Sequence, residues 1–482
     1  MKKELKNFII VVIAICAFGI INLLPIAGLE PLGKMYLGII TCMLILWFTE
    51  AVPSPVTFFI QIGLVTLVMP IISDMKSAEI FRVAMTSLAS NTIALFICAF
   101  FIVSAVEKSG LARRIALAIL NIVGPKPKKF LMGILFAGGF LNIFLPAAMS
   151  VSALLTGIVA GIVADYNIDK NSNFSKSLYL AVGVGTIAGN IFIQTAGAPA
   201  VAITGLISNN FNYDITYFEF MKFGLPLGIL MDIFAYFLIT RLFPSEYEIL
   251  PGGGDYIRNK MKELGKWNNK EIKTGIVLAL TVILWMTGGK FHDISSQTVA
   301  MISCAVLMCP YIGVYTFKEM SSTVPWGTII FMGSSMSLAS GMVTYGTAAW
   351  LVDNLINMTN LTSAPFIIIL IGTLIIMAIC SMAFSVRASA VSSIIPCVIL
   401  LAAAIANNLG ASFNPMGFTI VMFYPLLFAI VLPVHSPYTL FPQAAGGYES
   451  KDLVKITIPY VFLTIISCVI LYFTYWKFVG LT

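Results

Sequence analysis

The stretch ICSMAFSVRASAVSSIIP, residues 379–396, decides how the rest of this sequence is interpreted. It places Arg387 near the middle of an apolar region, residues 366–406, among small alanines and serines. A charge at membrane depth costs roughly 2.5–3.5 kcal/mol on insertion scales, and it persists where it faces protein or a water-filled cavity. We interpret the stretch as a broken re-entrant hairpin that carries half of an anion site. The alternative is an arginine that snorkels from a helix end or pairs with a buried acid.

The composition around this stretch is that of a membrane protein. Of 482 residues, 59% are hydrophobic and 10% are charged, whereas a soluble domain is about 25% charged. The apolar segments are continuous, which favours helices that cross ~30 Å of hydrocarbon over barrel strands of alternating polarity. The net charge of +7 comes from loops and indicates topology, so no nucleic-acid partner is expected.

Three further apolar regions are interrupted by polar and proline residues: residues 130–164, 178–207 and 418–445. Pro146 interrupts the first, Pro199 the second and Pro437 the third. Because proline lacks a backbone donor and clashes with the preceding turn, each of these regions is expected to form two shorter helices.

The interruptions recur at a nearly constant spacing. Pro437 follows Pro199 by 238 residues, and Arg387 follows Pro146 by 241 residues. An odd number of spans in each repeat makes the repeats inverted, and inverted repeats with broken helices near the midplane are typical of secondary transporters. The expected fold class is an all-α polytopic membrane protein with about 11 transmembrane helices plus two re-entrant hairpins in two inverted repeats.

Several motifs carry a resemblance to a known family. They are WFTEAVP (residues 47–53), ALFICAFFIVSAVEKSGLARRIAL (94–117), GLPLGI (224–229), VPWGTIIFMGSSMSLASGM (324–342) and GGYESKDLVK (446–455). The chain resembles the divalent-anion:sodium symporters, which include dicarboxylate, citrate and sulfate carriers. The resemblance implies a homodimer in the lipid bilayer, with a scaffold domain and a transport domain that moves as an elevator. It also implies a small-molecule anion substrate and two sodium ions, bound by two Ser-Asn-Thr hairpin tips and two helix breaks.

The resemblance gives an expected division of the chain. Scaffold helices occupy residues 1–128 and 274–362, and a cytoplasmic loop occupies 246–273. The first hairpin, broken helix and following span occupy 129–245, and their second-repeat counterparts occupy 363–482. Basic residues at the start and in the loop predict a multi-pass protein of the cell (inner) membrane, with its N-terminus cytoplasmic and its C-terminus outside.

This sequence departs from the family at both hairpin tips. The first tip reads Pro146-Ala147-Ala148 and the second reads Val386-Arg387-Ala388. A Ser-Asn-Thr does occur from Ser90, but it precedes a span and is expected to be a helix cap. Carried onto this sequence, the candidate substrate-binding residues are Arg387, Ser385, Ser389, His435, Ser436, Asn142, Pro146, Ser150, Thr195, Gly197, Ala198, Pro199 and Pro437.

These departures suggest a mechanism. Arg387 places a fixed positive charge where the second sodium of the family would lie, and like charges repel strongly at low dielectric. We therefore expect Arg387 to replace that ion, which favours sodium-independent exchange of one dianion, of the C4-dicarboxylate or 2-oxoglutarate type, for another. The alternative is a sodium- or proton-coupled symporter of di- or tricarboxylates or sulfate. Asn142 and Gly197 could frame a residual sodium site; otherwise no cofactor is expected.

Other functions and roles are weighed against this one. His435 could add proton coupling, since its ordinary pKa lies near neutrality, or it could simply bond the backbone of a helix break. An integral membrane enzyme is disfavoured because the sequence has no HExxH motif and no Cys/His cluster. An anion channel, which would pass current without a counter-substrate, fits the broken repeats weakly.

Overall fold

The computed structural model describes residues 2–49, 51–145, 148–251, 255–359, 364–382, 384, 387–409 and 413–482. Within these ranges the chain is helical, with only an isolated bridge between Gly288 and His292. The helices are α1 (Lys2–Leu23), α2 (Pro31–Thr49), α3 (Ser54–Val68), α4 (Ser77–Met85), α5 (Asn91–Ser109), α6 (Leu111–Val123), α7 (Pro127–Phe144), α8 (Ala148–Asp165), α9 (Asn173–Gly189), α10 (Ala198–Phe211), α11 (Tyr217–Leu242), α12 (Asp255–Glu263), α13 (Asn269–Thr287), α14 (Ser296–Met308), α15 (Phe317–Ser321), α16 (Trp326–Thr344), α17 (Thr347–Thr359), α18 (Phe366–Met382), α19 (Arg387–Leu409), α20 (Pro415–Phe428), α21 (Pro437–Ala444), α22 (Ser450–Phe473) and α23 (Tyr475–Phe478).

Many of these helices suit a membrane. In the described part of the chain, eight helical segments are long and apolar enough to cross a bilayer, and α14, α18 and α20 are shorter apolar helices. Helix α1 exposes most of its apolar side chains, whereas α9 is buried along nearly its whole length. The expected all-α polytopic membrane protein is confirmed.

The helix boundaries show the internal repeat more regularly than the sequence does. Helix α19 begins 239 residues after α8, α21 begins 239 residues after α10, and α20 ends 239 residues after α9. The two long apolar regions are broken as expected: residues 190–197 separate α9 from α10, and residues 429–436 separate α20 from α21. Each interruption is eight residues long, so the two repeats share one local design.

The repeats exchange contacts across the centre of the molecule. Helix α10, which follows the first break, packs against α19 of the second hairpin. Helix α21, which follows the second break, packs against α8 of the first hairpin and against α9. Because each break is covered by the other repeat's hairpin arm, the starts of α8, α10, α19 and α21 come together in the interior.

The polar segment between the halves is anchored by a buried ion pair. Arg114 of α6 lies 3.1 Å from Glu271 of α13. Its guanidinium also donates to the carbonyls of Leu264 and Gly265 and stacks over Trp267, 4.8 Å from the ring centroid. The sequence analysis placed Arg114 in a basic cluster on the cytoplasmic side and did not foresee this pair.

Candidate anion-binding site

A cavity of about 420 Å³ lies where the two repeats meet. One wall is formed by α3 and α16, and the other by the first turns of α8, α10, α19 and α21. An adjoining cavity of about 210 Å³ shares several of its lining residues, among them Met149, Ala198 and Thr328. Pockets of a few hundred Å³ are of the size that holds small-molecule ligands.

Four helix N-termini converge on this cavity. They are represented in its lining by Met149 of α8, Pro199 of α10, Ala388 of α19 and Pro437 of α21. The N-terminal end of a helix carries unpaired backbone N–H groups and roughly half a positive charge, which favours anions. Four such ends directed at one volume make the site suited to a small anion with more than one negative charge.

Arg387 is the first residue of α19 and is buried, with 4% of its surface exposed. Its Nε donates to the carbonyl of His435 at 3.1 Å. Its terminal nitrogens donate to the carbonyl and the hydroxyl of Ser381 and to the carbonyls of Leu426 and Ala429. The guanidinium therefore holds the end of α20 and the second break together. No acidic side chain among the described residues pairs with Arg387, so the alternative of a buried acid partner is not what the structure shows.

The acceptors around Arg387 are of the kind that bind a sodium ion. Four are backbone carbonyl oxygens and one is a hydroxyl oxygen, and carbonyls at helix C-terminal ends coordinate sodium in transporters of this general design. The C-terminal end of α20 also carries partial negative charge. Since the guanidinium fills the space among these oxygens, the residues do not fit an additional cation there.

His435 and Ser436 shape the second break. The Nδ1 atom of His435 accepts a hydrogen bond from the backbone N–H of Leu432 at 3.3 Å. Ser436 is buried, and its hydroxyl caps α21 by accepting from the backbone N–H of Tyr438 at 3.2 Å. Both side chains are thus engaged with the backbone, and for His435 this is the local structural role that the sequence analysis weighed against proton coupling.

The first break repeats this geometry without the arginine. Ala148 stands 239 residues before Arg387, and Asn142 stands 239 residues before Ser381. The Asn142 Nδ2 donates to the Gly138 carbonyl at 2.6 Å, whereas its Oδ1 is buried and has no hydrogen-bond partner among the described residues. Thr195 is also buried in this break. A free oxygen at the position equivalent to Ser381 fits a cation, in contrast to the second break.

Gly197 ends the first break at a crowded point. A β-carbon at this position would overlap the Oδ1 of Asn190 and would lie 3.2 Å from the phenol oxygen of Tyr438. The φ of Gly197 is −174°, which any residue can adopt, so the requirement for glycine here is one of space. Through this contact the first break touches the start of α21 from the second repeat.

The structure brings some of the predicted site residues to the cavities and keeps others behind them. Arg387, Ala198, Pro199 and Pro437 line the larger cavity, and Ser150, Gly197 and Ala198 line the smaller one. Ser389, His435, Ser436, Asn142 and Thr195 are not among the lining residues. Pro146 and Ser385 lie outside the described residues.

Sequence reasoning missed the opposite wall of the cavity. It is formed by Ser54 and Pro55 of α3 with Gly327, Thr328 and Phe331 of α16. These positions lie beside or within the motifs WFTEAVP and VPWGTIIFMG, which were used only as marks of a family. Tyr438 was also missed, although it directly follows Pro437.

Two smaller points of the sequence analysis can be settled. Ser90 caps α5, because its hydroxyl accepts from the backbone N–H of Ile93 at 3.3 Å, so the Ser-Asn-Thr at this position has the expected capping role. Across the described ranges no three His, Cys, Asp or Glu side chains are grouped as metal ligands. Any cation in the first break would therefore rely on neutral oxygens.

Comparison with known proteins agrees with this architecture. A sequence model of the family described as "Sodium:sulfate symporter transmembrane region" matches residues 5–482. A protein of Cupriavidus necator described as "Membrane protein" is 25% identical over 461 residues, which cover 94% of this chain and 89% of the relative. The sodium-dependent dicarboxylate transporter SdcS of Staphylococcus saprophyticus is 25% identical over 451 residues, 89% of this chain and 83% of the relative.

Two further matches are more limited. The sodium-dependent dicarboxylate transporter SdcS of Staphylococcus aureus (strain USA300) is 28% identical over 345 residues, which cover 67% of this chain and 64% of that protein. The crystal structure of the YdaH transporter of Alcanivorax borkumensis superimposes with a TM-score of 0.52 at 13% identity, over 84% of this chain and 90% of that one. The second match supports the fold alone.

Proposed function

The chain belongs to the family of the sodium:sulfate symporter transmembrane region, and from that premise we propose that it exchanges small organic dianions, of the C4-dicarboxylate or 2-oxoglutarate type, across the cell membrane. It is a multi-pass membrane transporter and not an enzyme. The observation that carries the proposed substrate class is the convergence of four helix N-termini and Arg387 on one cavity. A dianion with a short carbon chain matches both the positive ends of the helices and the apolar walls of proline, methionine and phenylalanine.

The proposed exchange follows from the fixed charge. Arg387 donates to the carbonyls of His435, Ser381, Leu426 and Ala429, so its positive charge stays with the protein when substrate leaves. A site that carries an uncompensated charge crosses the low-dielectric bilayer poorly, whereas the site with a bound dianion crosses more readily. Return of the binding site then requires a second anion, and no sodium gradient is needed at the second break.

The position of the cavity supports an elevator-type movement. Helices α3 and α16 form one wall, and the two hairpin arms with the two restarted helices form the other. Movement of the second wall past the first would carry the anion across the membrane. We place α3 and α16 in the scaffold, propose a homodimer built through that scaffold, and expect the N-terminus inside the cell and the C-terminus outside.

A second candidate is exchange or symport coupled to one sodium ion at the first break. The observation that favours it is the buried, unpartnered Oδ1 of Asn142, at the position equivalent to Ser381. Asn142→Ala distinguishes the two candidates. If a cation binds there, this variant loses the sodium dependence of uptake; if none binds, wild type and variant respond alike to sodium.

The proposed function is tested by uptake of labelled succinate, malate and 2-oxoglutarate into proteoliposomes. Vesicles are either empty or loaded with the unlabelled dianion, and each set is assayed with sodium and with potassium in its place. We expect uptake only into loaded vesicles, equal in both salts. Uptake into empty vesicles that follows a sodium gradient would favour the second candidate, and uptake of sulfate alone would contradict the proposed substrate class.

A further inference from the structure

Helix α11 presents one face to the first break. Gly224 and Gly228 lie one turn apart on this face, and a β-carbon at either would overlap the break: the carbonyl of Ile191 at Gly224 and the ring of Phe192 at Gly228. Asp232 follows one further turn along the same face. It lies 10 residues before the end of the helix at Leu242, or about 15 Å along the axis, so the carboxyl is well inside the span.

Asp232 is enclosed on this face without a countercharge. Its Oδ2 lies 3.3 Å from the position that a β-carbon at Gly139 of α7 would take, so this glycine makes room for the carboxyl. Its Oδ1 is buried and has no hydrogen-bond partner in the part of the chain that the structure describes. An ionised carboxylate in such surroundings costs several kcal/mol unless it is paired.

The elements that pack on α11 supply one ionisable neighbour. Helices α7, α9, α13 and α22 contact α11. Tyr460 of α22 is within electrostatic range of Asp232, and its phenol oxygen is likewise buried without a partner among the described residues. The charged groups of these four helices lie near their starts: Lys128, Lys129, Lys176, Lys270, Glu271, Lys273, Lys451, Asp452 and Lys455. On α11 itself they are Glu219, Lys222 and Arg241, at its ends.

We propose that Asp232 is a proton-binding site of the transporter: its carboxyl carries a proton in this conformation, and that proton keeps the segment between α7, α11 and the first break neutral. Asn142, with its free Oδ1, lies one turn from Gly139 on α7. The proton site therefore adjoins the first break and is separate from the cavity, which Asp232 does not line.

A proton suits this position better than a metal cation. A sodium ion requires several converging oxygens, whereas the described surroundings of Asp232 are the hydrogen-only face of Gly139 and the phenol of Tyr460. A proton needs only the carboxyl itself. Ionisation of Asp232 would place a negative charge against the break, so exchange should slow when the proton is lost.

Infrared spectroscopy of the purified protein tests this directly, because a protonated carboxyl absorbs separately from a carboxylate. At about pH 7 a free aspartate, with an ordinary pKa of ~4, is ionised. We expect wild type to show a protonated-carboxyl band at this pH that is absent from Asp232→Asn. The matched control Asp165→Asn, at an exposed position at the end of α8, should keep the band. If the asparagine variant does not fold, Asp232→Glu should shift the band without removing it.

Three results would overturn the proposal. They are identical carboxyl spectra in wild type and Asp232→Asn, loss of the wild-type band on addition of sodium, and identical pH profiles of dianion exchange in the two proteins. We expect instead that exchange by wild type declines as the pH rises, whereas Asp232→Asn, which is neutral at every pH, shows a flat profile. The spectra need no substrate, so they are independent of the proposed exchange.

Discussion

Ala148 and Arg387 occupy equivalent positions in the two repeats and bind equivalent carbonyls by different means. Each is the first residue of the second hairpin arm. The backbone N–H of Ala148 donates to the carbonyl of Ala196 at 3.0 Å, and the guanidinium Nε of Arg387 donates to the carbonyl of His435 at 3.1 Å. His435 follows Ala196 by 239 residues, the same spacing that separates Arg387 from Ala148.

This relationship explains why the two breaks differ electrically. In the second repeat a side chain brings a permanent positive charge to the carbonyl oxygens at the end of α20. In the first repeat an alanine brings none, and the oxygen of Asn142 remains unpaired among the described residues. We therefore expect cation dependence, if any, to arise from the first break alone.

Replacement of Gly197 by alanine should inactivate transport. The added β-carbon would overlap Asn190 and press on Tyr438, so the contact between the first break and α21 must shift. Repacking a tight interior costs about 1–3 kcal/mol, and we expect exchange to fall by more than tenfold. Gly157→Ala is the matched control, because the added β-carbon meets nothing within 4 Å there; equal loss in both variants would contradict the steric argument.

Thr328→Val should weaken substrate binding with little effect on folding. Thr328 lines both cavities from α16, and valine keeps its shape without the hydroxyl. Loss of a hydrogen bond to a charged ligand costs about 1.5–3 kcal/mol, which predicts a KM for exchange raised at least tenfold. Thr344→Val, on the same helix but outside these cavities, should leave KM unchanged. An unaltered KM in Thr328→Val would remove α16 from the binding site.

The fold was accessible from the sequence because hydropathy and prolines mark it directly. Pro199 and Pro437 located both breaks, and the interrupted region around Pro146 located the first hairpin. The wall formed by α3 and α16 was not accessible, since Pro55 and Phe331 lie far apart in the chain and have no feature that signals a ligand. The partners of Arg387 were equally hidden, because backbone carbonyls carry no sequence signal.

Arg114→Ala should destabilise the protein strongly. The substitution leaves Glu271 as a buried charge without its partner, which costs about 3–5 kcal/mol, and it removes the contacts with Gly265 and Trp267. Thermal unfolding in detergent should show a clear fall in Tm. Lys260→Ala breaks the more exposed pair with Glu263, a type worth about 0–1 kcal/mol, and is the matched control. Equal Tm values for the two variants would show that the buried pair does not anchor the loop.

The most direct test of the central claim compares wild type, Arg387→Lys and Arg387→Ala in dianion exchange, with and without sodium. Arg258→Ala, at an exposed position, is the control. If Arg387 stands in for a cation, Arg387→Ala without sodium loses at least ~3 kcal/mol of stabilisation, or about 100-fold in rate. Lysine should restore part of the rate, and sodium should partly restore exchange by the alanine variant. Exchange by Arg387→Ala at the wild-type rate without sodium would contradict the account.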